Sequence, residues 1–185
     1  MPSSRPAARA SNHRLALTVA ALAGESCHLG WEYTHGGVLA HHLLANPDLP
    51  AVSNWWGILL IPLLTWWLAG GIVRRAEGRR TAATRTGIPP WTGFACALAY
   101  GAVLATLFAF GSALVDPLFL GVLVLGLAIR LSRPEFVLGF VLGMTFVVGA
   151  VLPTLFAFII AGLSWTVHTI AGALWRRVRA PGGAA

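Results

Sequence analysis

The sequence predicts an all-α, polytopic transmembrane helix bundle of six spans, with both termini cytoplasmic. Three observations predict it. Of the 185 residues 57% are hydrophobic and 10% charged, with a mean hydropathy of +0.74, whereas a soluble domain carries about 25% charged residues. The apolar residues gather in runs near the ~20-residue length a helix needs to cross a hydrocarbon core of ~30 Å. All 13 basic residues are arginines, and they fall in blocks between those runs, as the positive-inside rule distributes them in cytoplasmic loops. This composition excludes a soluble enzyme, a disordered tail and a free nucleic-acid-binding domain. The pI of 11.3 reflects topology and contact with anionic lipid rather than nucleic acid.

The elements follow in order. Residues 1–14, with Arg5, Arg9 and Arg14, form a cytoplasmic tail, and the first span runs from Leu15 to Tyr33. The same stretch, with LALTVAALA after Arg14 and Ala21-Leu22-Ala23 as an A-x-A site, also fits a cleaved signal peptide, which would leave five spans. Asn54 to Val73 is the second span, with Trp55-Trp56 and Trp66-Trp67 as interfacial belts and Pro62 as a kink or loosened turn. An arginine-rich loop leads to the third span, Trp91 to Ala113, and the fourth is the short run Pro117 to Leu131. Residues 136–175 hold two further spans, 136–151 and 154–175, divided at the turn signal Gly149 and Pro153. Residues 176–185 close the chain as a second cytoplasmic tail. The transmembrane domain is therefore 15–175, with a re-entrant or interfacial segment at 34–53 on the outer side. That topology places the protein in a bacterial inner (plasma) membrane.

Functional signal is concentrated in the segment ESCHLGWEYTHGGVLAHHLLANPD, which holds four of the six histidines and three of the six acids. If the first helix continues to His35, Glu25, His28, Glu32 and His35 stand at offsets that share one helical face. Glu25 then lies ~15 Å deep, near the bilayer midplane, and His35 near the outer surface. Such a ladder repeats Glu-x-x-His twice, the i, i+3 ligand unit of di-metal helical bundles. Burying a carboxylate inside a membrane is costly enough to require a partner. Gly36-Gly37 breaks the helix, and Val38 to Ala45 reads as a short surface helix carrying His41 and His42. Asn46-Pro47-Asp48 is a turn signal, with Asp48 a cap or a further ligand. His168 falls near the depth of Glu25, where it pairs with Glu25 or bonds another helix. Asp116 caps the fourth span or joins the outer cluster. Trp31, Trp55 and Trp56 flank an entrance.

Four functions compete for these residues. A small permease or ion-coupled protein would conduct a proton or divalent metal ion along the ladder, because buried carboxylates and imidazoles titrate near neutrality. A membrane enzyme would hold zinc, iron or copper with His28, Glu32, His35, His41, His42 and Asp48, activating water against a lipid or lipid-linked substrate. A b-type haem between His28 and His168 or His42 has two axial ligands but no marked porphyrin pocket. An assembly or scaffold subunit would turn the ladder toward a partner span, and a thin six-span bundle also suits a homo-oligomer. The histidine boxes of membrane desaturases, G-x-S-G, GxGxxG, a P-loop and HExxH are absent. Cys27 and Cys96 share no CxxC spacing. Gly139-x-x-x-Gly143 is a pattern for close packing between helices.

Overall fold

The computed structural model of the chain describes residues 5–42, 48, 50–81 and 87–179. Among these residues six helices form, namely α1 (Arg5–Thr34), α2 (Gly57–Thr81), α3 (Pro90–Ala109), α4 (Val115–Ala128), α5 (Pro134–Val148) and α6 (Val151–Arg179). Each falls on one of the six apolar runs, and local chemistry sets the breaks. Pro90 and Pro134 occupy the first positions of α3 and α5, where a missing N–H leaves no helical bond unmade. Gly149 ends α5 at a φ of 76°, a conformation that only glycine adopts at little cost. The chain enters α6 two residues later, with Pro153 inside its first turn.

The segment after α1 departs from expectation. The expected surface helix from Val38 to Ala45 is not seen in its described part, residues 38–42, the remainder lying outside the described residues; Ala40–His42 is instead a strand, β1, paired antiparallel with β2 (Ala51–Ser53) in the register Ala40↔Ser53, His41↔Val52 and His42↔Ala51. The Asn54 N–H donates to Leu39 O at 2.9 Å and extends the ladder into a short 3-10 turn, Asn54–Trp56, that leads into α2. An eight-residue helix isolated behind two glycines has too few turns to be stable. Pairing with residues 51–53 satisfies the same backbone groups.

Three helical stretches are long and apolar enough to cross a membrane: Asn54–Arg79, Pro90–Ala109 and Val151–Arg179. They fit an integral membrane protein. The expected six full spans are not matched by length and hydropathy alone. α4 and α5 have 14 and 15 residues, or ~21–22 Å of helix, and the polar second half of α1 keeps it outside the apolar set.

Successive helices alternate in direction. Along antiparallel α1 and α2, Glu25 lies against Gly57 while the Arg14 guanidinium reaches Trp66 O and stacks 3.9 Å from the Trp66 ring. α5 runs antiparallel to α2, with Pro134 against Gly71 and Ala150 near Gly57. α4 and α6 run parallel, joined by Phe119 on Phe156 and by the Ser164 hydroxyl, which donates to Gly126 O at 2.9 Å. Among the described residues, Arg74, Arg75 and Arg79 of the end of α2, Arg130 and Arg133 between α4 and α5, and the arginines of the end of α6 therefore gather at one end, with the β1–β2 hairpin at the other. At the arginine end, Arg75 Nη2 meets the fully buried Glu135 at 3.1 Å.

α5 is the buried centre, with most of its residues inside the bundle. It meets α3 along Gly139 and Gly143, where a Cβ would strike the backbone oxygens of Phe94 and Leu98. Gly93, Ala97 and Gly101 supply the matching small face of α3. The glycine pattern therefore serves packing within the chain. Gly143→Val is expected to destabilise the fold by about 1–3 kcal/mol through overpacking, read as a lower thermal unfolding midpoint in detergent. An unchanged midpoint would show that α3 and α5 do not rely on this approach.

Candidate functional site

Three members of the expected ladder meet inside the bundle. Glu25, His28 and Glu32 are 4%, 9% and 9% exposed, all on the face that α1 turns toward α2 and α5. His28 Nε2 lies 3.5 Å from Glu32 Oε1, and its Nδ1 lies 3.9 Å from Glu25 Oε2. The imidazole thus sits between two carboxyl groups, with its ring edge-on to Phe146 of α5 at 5.3 Å. Glu25 Oε1 and His28 Nδ1 are buried without a hydrogen-bond partner. An unpaired polar atom in a low-dielectric interior is costly, so the file has unsatisfied capacity for a proton or a donor.

Glu32 is the anchored end. Its Oε1 accepts from Asn54 Nδ2 at 2.7 Å and its Oε2 from the Leu39 N–H at 3.3 Å. Asn54 is itself buried and lies over Gly149, where a Cβ would collide with the amide oxygen. One side chain therefore ties α1, the hairpin and the α5–α6 turn together. Glu25 is accommodated in the same way, because a Cβ on Gly57 would occupy the place of its Oε1. The side-chain hydrogen bond to Glu32 comes from a residue 22 positions away, and no local spacing marks it. Sequence reasoning also missed the Arg75–Glu135 pair, whose only local signal is an acid in the first turn of α5.

The other expected members lie elsewhere. His35 closes the last turn of α1, its N–H donating to Trp31 O at 3.1 Å, but its side chain is exposed and stacks on Trp31 at 3.6 Å, with Nδ1 2.9 Å from Trp31 O. His42 and Asp48 are exposed, and the His41 side chain lies outside the described residues. Asp116 is in the first turn of α4, where a carboxylate complements the helix dipole. His168 does not approach Glu25. Its Nδ1 lies 2.8 Å from Ser164 O, and it borders a polar pocket with Arg130 and Arg176 at the arginine end. His28 and His168 therefore lie toward different ends of the molecule. Trp31, Trp55 and Trp56 are exposed. Among the described residues no three His, Cys, Asp or Glu side chains are grouped to hold a metal ion.

Below the file, α1 and α3 diverge. α1 packs chiefly on α2, and a cavity of about 290 Å³ separates its small residues Ala20, Ala21 and Gly24 from Phe94 and Leu98 of α3. Glu25 lines this cavity. No protein-family model matches the chain, and neither does any curated protein or solved structure.

Asn54→Ala is expected to cost about 1–3 kcal/mol by leaving Glu32 Oε1 without its donor, whereas the exposed His35→Ala changes stability by less than about 0.5 kcal/mol. Denaturant titration of both variants in detergent measures the contrast. Equal effects would mean that Asn54 does not anchor Glu32.

Proposed function

We propose that Glu25, His28 and Glu32 form a buried proton-binding site, and that the protein is a small ion-coupled membrane protein of the permease kind. The observation that supports this best is the file itself: three titratable side chains, each within 3.9 Å of the next and under one-tenth exposed. Two carboxyl groups in an apolar interior require positive charge nearby. A proton supplies it with the least volume, and the imidazole between them receives it from one side and returns it to the other. Glu32, beside the hairpin, is the end nearer water; Glu25, beside the cavity, is the inner end. The positive-inside rule puts the arginine end in the cytoplasm and the file toward the outside.

A proton suits this site better than a metal ion. His35 has turned away, no grouped set of three ligands stands among the described residues, and Glu32 already spends both oxygens on Asn54 and Leu39. The remaining unpartnered atoms, one carboxyl oxygen and one ring nitrogen, match the number of positions a single transferable proton needs.

Infrared difference spectroscopy on protein in lipid, titrated from about pH 5 to about pH 9 across the carboxyl and imidazole ranges, tests the site. A protonated-carboxyl band that titrates in the wild type, disappears in Glu25→Gln and moves in His28→Ala is expected. Treatment with EDTA is expected to leave the band unchanged. Absence of any titrating band from Glu25 or Glu32 would overturn the reading. So would one zinc, iron or copper ion per chain that is lost in His28→Ala.

A further inference from the structure

We infer that the cavity between α1 and α3 is the binding site of a lipophilic cation, an apolar molecule whose protonated amine is held against Glu25. The walls are almost entirely apolar, and the cavity follows α2 from Ile61 to Ile72, roughly 16 Å of helix. Its volume of about 290 Å³ is close to the lower end of small-molecule sites, about 300 Å³. It exists because Ala20, Ala21 and Gly24 leave α1 without bulk on this face; a Cβ on Gly24 would meet nothing within 4 Å. Since α3 does not close on α1, the occupant enters sideways from lipid.

Three buried polar residues lie in this apolar wall, and while the Thr145 hydroxyl donates to Val141 O, the other two each hold an unpartnered atom. Glu25 is 4% exposed with Oε1 unpartnered, and Thr65, one helix away, is 2% exposed with Oγ1 unpartnered. The charge at the Glu25 end selects the head. Glu25 and Glu32 are both acids with one imidazole between them, Arg14 is committed to Trp66, and Arg75 is committed to Glu135. An anionic head meets like charge there, and a neutral head leaves the carboxylate uncompensated. A protonated amine offers both charge and up to three N–H donors. Thr65, further along the cavity, offers its hydroxyl to a polar group on the body of the same molecule. The inference rests on the reading of Glu25 as the carboxyl that a proton neutralises, because amine and proton then compete for one group.

The test uses three probes with the same tail, decylamine, decanol and decanoate, on the full chain in lipid nanodiscs. A reporter, Leu98→Cys in a background of Cys27→Ser and Cys96→Ser, reads occupancy as the rate of alkylation by N-ethylmaleimide. Decylamine is expected to slow alkylation about ten-fold, with little effect from decanol and none from decanoate, and Glu25→Gln is expected to abolish the protection. Gly24→Leu, whose Cβ meets nothing within 4 Å and whose side chain adds bulk to the cavity wall, is expected to abolish it while retaining the carboxyl infrared band. Equal protection by all three probes would make the cavity a plain lipid crevice and overturn the inference, as would protection that survives Glu25→Gln or Gly24→Leu. If decylamine protects but no carboxyl band titrates, the proton reading and the competition drawn from it fail, while amine binding at Glu25 is shown directly. If the band titrates and decylamine does not protect, the reverse holds.

Discussion

The close approach of α3 and α5 is the constraint on which the other placements depend. With no Cβ at Gly139 and Gly143, α5 reaches the backbone of α3 and becomes a central post in contact with α2, α3 and α6. A post buried on nearly every side does not need to match the thickness of a membrane, so α5 is short. The hydrophobic effect does little to join helices in lipid, and packing of this kind takes its place. Once α5 is fixed, its ends set two polar positions: Glu135 against Arg75 below, and Gly149 under Asn54 above.

α1 follows a different rule. Its contact with the bundle runs along α2, and the polar groups near its C-terminal end set its register there. Glu32 is satisfied by donors from the hairpin and from the start of α2, while Glu25 is placed where α2 begins without a side chain. One acid is therefore locked and the other left with an unused oxygen, although both belong to the same helix face. That asymmetry comes from tertiary partners and gives a direction to any proton moving along the file.

Much of the architecture was legible in the sequence because each apolar run ends at proline, glycine or arginine, and all six runs became helices. The file Glu25, His28, Glu32 was legible from spacing alone, since a helical face is a local property. His35 was misplaced because the two glycines that follow stop α1 there, and its ring turns to stack on Trp31. Ala40–His42 became a strand rather than part of a helix because its pairing partner lies at 51–53, beyond the reach of a local reading. His168 was matched to Glu25 by depth, but depth does not say which side of a bundle a residue occupies. Asn54 carried no sign of its role, since a single asparagine beside two tryptophans reads equally well as an interfacial residue.

A helix supported on one side by protein and on the other by lipid takes its resting position from the balance of both. Leu15, Val19 and Leu22 of α1 point outward, so this helix carries an apolar surface on the side away from the bundle, and whatever packs there sets the width of the gap behind it.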